Sequence, residues 1–220
     1  RVSLGRAMGI PRDQIKINVA YQGGSFGGKG DATGVVLCYL LAKKTGRPVK
    51  FVMDYAEELG TMNPRHSSVL RIKAGVKRDG TITAWESEIH FAGGGYAAYA
   101  PIPAITGILE IVGPYRISNV KVNSHQVYTN TSPCTYARSP GHVQAHFAGE
   151  SHMDVMARAI GMDPLDFRLR NVVSANDEYP TGEEWQDVRA EEALRRAAEA
   201  AGYDGPKEPG VGRGIAIGSH

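Results

Sequence analysis

A glycine-rich stretch, YQGGSFGGKG at residues 21–30, is the part of this 220-residue chain best suited by residue type and spacing to bind a ligand. The alternating run before it, residues 15–21, is typical of a strand. The apolar run after it, residues 35–42, is typical of a buried helix. A strand, a glycine loop and a helix N-terminus together present backbone N–H groups to an anionic phosphate. The alternative is a tight turn whose glycines only supply positive φ.

Two well-known phosphate loops match this stretch poorly. The spacing from Gly23 through Gly28 to Lys29 is that of a Walker loop, but Gly30 stands where the magnesium-binding Ser or Thr belongs. The run GGSFGG is out of register with the dinucleotide-binding fingerprint. Neither motif is assigned.

Further candidate residues lie near the start of a predicted helix at residues 143–160. Arg138 precedes this helix in a Ser/Pro/Gly-rich loop, where a guanidinium suits an anion, although an ordinary exposed arginine is the alternative. The four-residue spacing of His142, His146 and Glu150 is adequate for a metal such as zinc, but a solvated helix face has the same spacing. Glu150 and Asp154 form an i, i+4 carboxylate pair with no evident partner in the sequence.

Composition restricts the class of protein. A hydrophobic fraction of 42% and a charged fraction of 22% indicate a globular domain, and a net charge of +2 gives no electrostatic case for nucleic acid or an acidic membrane. The longest apolar run is far shorter than the roughly 20 residues that span a bilayer. Cys38 and Cys134 lack metal-type spacing and indicate free thiols in a reducing compartment, the cytoplasm.

The remaining pattern predicts an α+β fold with mixed short β-sheets, a buried helix after the glycine-rich loop and a helical C-terminal third. An Asp-Gly turn at residues 77–80 predicts a hairpin of strands 67–76 and 81–91. The pattern of residues 93–107 fits a plain loop and a ligand-lining loop equally well. The other predicted elements are a short amphipathic segment at 2–9, a strand at 48–53, a strand or hairpin at 117–130, and helices at 143–160, 165–173 and 190–201. In the 143–160 helix Val143, Phe147, Val155 and Ala159 repeat at four-residue spacing.

Two separated groups of motifs resemble one family. The first is Gly23-Gly-Ser-Phe-Gly-Gly-Lys29, and the second begins at Tyr136-Ala-Arg-Ser-Pro-Gly-x-x-Gln144. The second group continues with Phe147-x-x-Glu150-x-x-x-Asp154-x-x-Ala157, Gly161-x-Asp163-Pro164 and Arg168-x-Arg170-Asn171. Together they resemble the molybdenum-cofactor-binding large subunit of the xanthine dehydrogenase / aldehyde oxidase family.

The resemblance implies a site and a chemistry. Its glycine loop approaches the molybdenum end of a pterin, and its second loop, here at Arg138, lies near metal and substrate. The family hydroxylates aldehydes or electron-poor heterocycles with oxygen from water, and its electrons pass through 2Fe–2S clusters and FAD on partner subunits. Its general-base glutamate lies outside these 220 residues, so no catalytic residue and no protein ligand to the metal is assigned. The implied molybdopterin-binding residues are Gly24, Ser25, Phe26, Gly27, Gly28, Ala137 and Arg138, and the implied form is the cytosine dinucleotide if the source is bacterial.

Departures from the family pattern narrow the expected substrate. Purine-oxidising members have Glu at the position of Gly30 and an aromatic residue at that of Pro140, and carbon monoxide dehydrogenases have Cys at that of Ser139. An aldehyde or an N-heterocycle is therefore the expected substrate. We expect a fragment, inactive alone, with a first molybdopterin-binding domain at residues 1–203 and a linker with the start of a second at 204–220. The alternative from another class is a phosphate- or nucleotide-binding or interaction module without a redox role.

Overall fold

The computed structural model describes residues 1–29, 33–62, 64–96 and 102–219, and it divides into two compact units. The first unit contains the glycine loop, and the second contains most of the sheet and the C-terminal helices. The first comprises Arg1–Arg65, Gly93–Tyr99 and Tyr128–Arg138, and the second comprises His66–Ala92, Ala100–Val127 and Ser139–His220.

Short helices form the first unit. Its helices are α1 (Val2–Met8), α2 (Thr33–Thr45) and α3 (Tyr55–Thr61), with a 3-10 turn at Arg12–Gln14. Helix α1 ends at Gly9, whose φ of 66° is the left-handed conformation expected of a C-terminal glycine. Helix α3 begins with a capping box, in which Asp54 and Glu57 each accept a hydrogen bond from the other's backbone N–H.

Three sequence predictions for this unit are wrong. Residues 15–21 and 48–53 form no strand. The strands of the described chain all lie between residues 68 and 128, and none of them pairs with these two segments. Helix α2 forms, but it is not buried: Leu37 and Leu40 are 45% and 53% exposed. An apolar helix is buried only where other elements cover it, and among the described helices α1 is the one that packs on α2.

Most of a three-stranded mixed sheet lies in the second unit, and its strand order is β1 (Ser68–Val76), β2 (Ile82–Gly94), β3 (Val120–Tyr128). Strands β1 and β2 are antiparallel and joined at Gly80, which has a φ of 90°, so the hairpin prediction is confirmed. Strand β3 runs parallel to β2: the Trp85 N–H donates to Asn119 O at 2.8 Å near one end, and the Thr129 N–H donates to Gly94 O at 3.2 Å at the other.

The described residues of the second unit also form four helices, which complete the α+β fold. They are α4 (Ile102–Glu110), α5 (His142–Ala159), α6 (Pro164–Asn171) and α7 (Ala190–Ala200). Helix α4 overlaps residues 93–107, for which the sequence predicted a loop. Asp163 caps α6 with Pro164 at its first position, as predicted. The buried core, which includes Trp85, Phe91, Met153, Phe167 and Leu194, belongs to this unit.

Helix α5 buries a different face from the one that its large side chains indicate. Val143, Phe147 and Val155 are 48%, 76% and 55% exposed, whereas Ala145 and Gly149 are buried. A Cβ at Gly149 would lie 2.5 Å from the Ile111 carbonyl oxygen. The small residues therefore let the backbone of α5 approach the end of α4, and they determine which face turns inward.

Candidate functional site

The glycine loop folds tightly on itself within the first unit. Gly28 N–H donates to Ser25 O at 2.9 Å, and the turn uses positive φ at Gly24 (131°), Phe26 (49°) and Gly27 (92°). A side chain at Gly24 would lie 2.5 Å from the Phe26 ring. The glycines therefore allow Phe26 to fold back over the loop, and the ring remains 65% exposed.

The Tyr136–Arg138 segment closes on this loop. Arg138 N–H donates to Phe26 O at 2.9 Å, and the Arg138 guanidinium carbon lies 5.5 Å from the centroid of the Phe26 ring. That distance is within the range of a cation–π interaction. Gly27 packs directly under the Tyr136 carbonyl, where a Cβ would overlap the oxygen. Two segments more than a hundred residues apart in sequence thus form one surface.

A cleft of about 320 Å³ opens beside this surface. Its size is at the lower end of small-molecule sites. Of the residues that the sequence singled out, four line it: Ser25, Phe26, Gly28 and Ala137. Helix α3 supplies the opposite wall with Tyr55, Glu58 and Leu59, none of which the sequence marked. Gly24 and Gly27 shape the loop, and Arg138 stands over the ring of Phe26.

Backbone contacts hold the second loop in place. Cys134 N–H donates to Gly93 O at 3.0 Å, Gly95 N–H donates to Thr131 O at 3.0 Å, and the Ser132 hydroxyl donates to Gly60 O at 2.7 Å. The glycines at 93–95 therefore serve the close approach of one backbone to another. Burial raises the pKa of the Cys134 thiol, which keeps it protonated and unreactive.

The second unit contains a buried ionic network that the sequence analysis missed. Arg168, 1% exposed, donates from Nε to Glu150 Oε2 at 2.9 Å and from Nη1 to Asp154 Oδ1 at 2.8 Å. The Tyr115 hydroxyl donates to Glu150 Oε1 at 2.6 Å. Burial and the Glu150 charge raise the pKa of Tyr115. The carboxylates of Glu150 and Asp154 therefore pair with Arg168. The sequence signal for this pairing was Arg168 itself, which belongs to the motif Arg168-x-Arg170-Asn171.

The zinc hypothesis for His142, His146 and Glu150 is wrong, because Glu150 binds Arg168 and both histidines face Glu110. His146 Nε2 lies 2.8 Å from Glu110 Oε2 and His142 Nε2 lies 3.7 Å from Oε1. The Ser219 hydroxyl donates to Glu110 Oε2 at 3.0 Å and so fastens the C-terminal segment to α4. Burial alone would raise the Glu110 pKa, but the hydrogen bonds from His146 and Ser219 outweigh it, and the pKa lies below its ordinary value of 4.5.

This depressed pKa predicts an acid-dependent stability. A carboxyl group whose pKa is lowered by folding contributes stability that is fully present above pH 4.5. This stability is lost as the pH falls through the pKa of the group in the folded protein. We expect the Glu110→Gln variant to lose less unfolding free energy than the parent below pH 4.5, measured by urea unfolding across that range. Glu192→Gln, at an exposed i, i+4 pair with Arg196, is the matched control and should follow the parent. Equal acid sensitivity in parent and Glu110→Gln would contradict the assignment.

The mixed sheet, the helices and the joined glycine and arginine loops define an α+β cofactor-binding domain. The chain belongs to the molybdopterin cofactor-binding domain family, whose model matches residues 1–172. The resemblance to the molybdenum hydroxylases is thereby confirmed. Within the described residues, no helix combines the length and the apolar character that a membrane crossing needs.

Individual relatives agree with this family. The nicotinate dehydrogenase large molybdopterin subunit of Eubacterium barkeri is 32% identical over 202 residues, which cover 90% of this chain and 48% of that protein. The aldehyde oxidoreductase structure from Desulfovibrio gigas has a TM-score of 0.75 at 31% identity and covers 82% of this chain and 20% of that one. Quinoline 2-oxidoreductase of Pseudomonas putida 86, at 24% identity and a TM-score of 0.85 over 92% of this chain and 27% of that one, shares the fold. The chain spans less than half the length of each relative.

Proposed function

We propose that this chain is the molybdopterin-binding part of an oxidoreductase that hydroxylates an aldehyde or an N-heterocycle with oxygen from water. The observation that carries the proposal is the meeting of Phe26 and Arg138 on one exposed surface, in a chain of the molybdopterin-binding family. The activities of two relatives, on nicotinate and on aldehyde, support this substrate class. The family comparison favours this function over a phosphate-binding module without a redox role.

The residues of the first unit fit such a cofactor chemically. Molybdopterin combines a flat, hydrogen-bonding ring system with an anionic phosphate tail. The Arg138 guanidinium and the backbone N–H groups of the glycine loop suit negative charge on the bound cofactor, and the Phe26 ring offers a flat apolar face. Glu58 in the cleft wall suits the ring N–H groups of a pterin rather than its phosphate. We propose Gly24, Ser25, Phe26, Gly27, Gly28, Ala137 and Arg138 as the cofactor-binding residues.

The cofactor and the residues around it would have different roles in the reaction. When bound at these residues, molybdenum would supply the capacity for a two-electron oxidation, by which a substrate C–H bond and water would give C–OH, two protons and two electrons. The chain's own residues bind and orient: Phe26 excludes water from one face, and Arg138 neutralises negative charge beside it. We propose that 2Fe–2S clusters and FAD on partner subunits accept the electrons, and that the cofactor is the cytosine dinucleotide form.

The proposal also covers the domain arrangement of the chain, its place in a multi-subunit complex and its cellular compartment. The chain would contain a first molybdopterin-binding domain at residues 1–203, followed at 204–220 by a linker and the start of a second. A large subunit in a multi-subunit complex is consistent with the subunit name of the Eubacterium barkeri relative. Two cysteines without a disulfide, Cys38 and Cys134, support a reducing compartment, and we propose the cytoplasm.

Arginine geometry provides the direct test of the site. We expect Arg138→Lys to lower kcat of the complete complex about tenfold, because an ammonium keeps the charge but loses the planar, ring-stacking guanidinium. Phe26→Leu should have a similar effect by removing the ring.

Turnover of an aldehyde and of an N-heterocycle, with molybdenum measured by elemental analysis, provides the readout. Arg65→Lys, an exposed arginine elsewhere in the same unit, is the control. Unchanged kinetics in both site variants would remove them from the site, and absence of molybdenum from the parent complex would refute the function.

A further inference from the structure

A cluster of two histidines and one glutamate lies on the solvent face of the sheet, and none of its members is among the residues assigned above. Glu88 and His90 are two residues apart on β2 and therefore point to the same face, and His125 lies beside them on β3. Their potential ligand atoms all lie within 4.8 Å of one another. We propose that Glu88, His90 and His125 form a binding site for a zinc-like divalent cation.

The distances match an ion better than a direct hydrogen bond. Glu88 Oε1 lies 3.6 Å from His90 Nε2 and 3.6 Å from His125 Nε2. Both distances exceed the roughly 2.7–3.2 Å of an N–H···O hydrogen bond. Zinc holds N and O ligands at about 2.0–2.1 Å in a tetrahedron, whose edges are then about 3.3–3.4 Å long. The two distances to Glu88 exceed such an edge by only a few tenths of an ångström, and the 4.8 Å limit bounds the distance between the histidine nitrogens.

The strands arrange the side chains in advance of binding. The two imidazole rings stack with their centroids 4.9 Å apart and their planes inclined by 19°, and both Nε2 atoms lie 3.6 Å from the same carboxylate oxygen. Binding one ion requires a rotation of at least one ring, because the nitrogen lone pairs lie in the ring planes. One step along the same face, Lys121 Nζ pairs with Glu86 Oε1 at 3.0 Å across β2 and β3. Because the backbone of both strands is fixed by the sheet, little conformational freedom remains to be lost when an ion binds.

The donor set selects among metals. Imidazole nitrogens favour zinc, copper and nickel, whereas magnesium and calcium prefer an all-oxygen shell. Three protein ligands leave a fourth tetrahedral position for water or a small anion. Arg71 stands opposite Glu88 in the strand register, and its charge opposes that of a cation. These features favour zinc and disfavour magnesium.

Metal titration of the purified 220-residue chain tests the site. We expect one equivalent of Zn²⁺ to bind in competition with a chromogenic chelator, and no saturable binding of Mg²⁺. His90→Asn and His125→Asn should each weaken zinc binding at least about tenfold, since perturbing even the groups around metal ligands costs that much. Co²⁺ should give the intense visible absorption of a tetrahedral site in the parent chain, and His90→Asn should abolish it.

Two matched controls separate this cluster from its surroundings. Glu86→Gln removes a carboxylate from the same face and strand, and His142→Asn removes a histidine from the Glu110 cluster. Both should retain the parent's zinc affinity. Zinc binding that survives the double change at His90 and His125, or that His142→Asn abolishes, would overturn the proposal. So would the absence of saturable zinc binding by a parent chain that unfolds cooperatively.

Discussion

Replacement of Arg168 by methionine is expected to lower the free energy of unfolding by about 3 kcal/mol, because it leaves the largely buried Glu150 and the partly buried Asp154 without their counter-charge. The guanidinium makes hydrogen bonds to Glu150 Oε2, Asp154 Oδ1 and the backbone carbonyls of Glu150 and Pro164. Methionine fills a similar volume but donates none of these bonds. Urea unfolding followed by circular dichroism measures the change.

The same network provides a control and a rescue. Arg158 also pairs with Asp154, but it does so at 3.9 Å with a side chain that is 70% exposed, so Arg158→Met should cost less than about 1 kcal/mol. Adding Glu150→Gln and Asp154→Asn to Arg168→Met should recover part of the loss, because neutral amides carry no uncompensated charge. Equal effects of the two arginine variants, or no recovery, would show that charge pairing at Arg168 is not what stabilises this unit.

Elements specified by local chemistry were predictable from the sequence. The Asp79-Gly80 turn, the Asp163-Pro164 helix start and the glycine after α5 each require a particular residue at one backbone position. Gly80 and Gly161 adopt φ values of 90° and 72°, as those roles demand. Such signals act within a few residues and do not depend on what packs above them.

Elements specified by packing were not predictable in the same way. Helix α4 contains Pro103 and Gly107, both poor helix formers, yet a Cβ at Gly107 would lie 2.9 Å from the Phe91 ring. The close approach to Phe91 explains the glycine and packing against α5 supports the helix, and no local pattern reports either contact. The inward face of α5 follows the same rule, since Gly149 and Ala145 pack where larger residues would not fit.

The candidate site combines both kinds of information. Periodicity alone locates a glycine loop and an arginine before a helix, but it cannot join Phe26 to Arg138 across more than a hundred residues. The resemblance supplied that connection as an expectation. The contribution of α3, with Glu58 and Tyr55 in the cleft wall, depends on tertiary closure and carried no sequence signal.

The largest effect on cofactor binding is expected from Gly27→Ala. Its φ of 92° is strained for alanine, and the added Cβ would overlap the Tyr136 carbonyl oxygen. The loop must then move away from the Tyr136–Arg138 segment, which breaks the bond from Arg138 N–H to Phe26 O and separates the guanidinium from the ring. We expect the complete complex to retain roughly a tenth or less of the parent's molybdenum and pterin, because pre-organised sites lose affinity steeply when misplaced.

Gly23→Ala is the matched control for this prediction. It lies in the same loop, but a Cβ there meets no atom within 4 Å and its φ is not positive. Its molybdenum content, measured by elemental analysis together with fluorescence of the released pterin, should equal that of the parent. Thermal unfolding of both variants separates loss of the site from loss of the fold, since the core lies in the other unit. A Gly27→Ala complex that binds cofactor as the parent does would show that the closure of the two loops is not what holds the pterin.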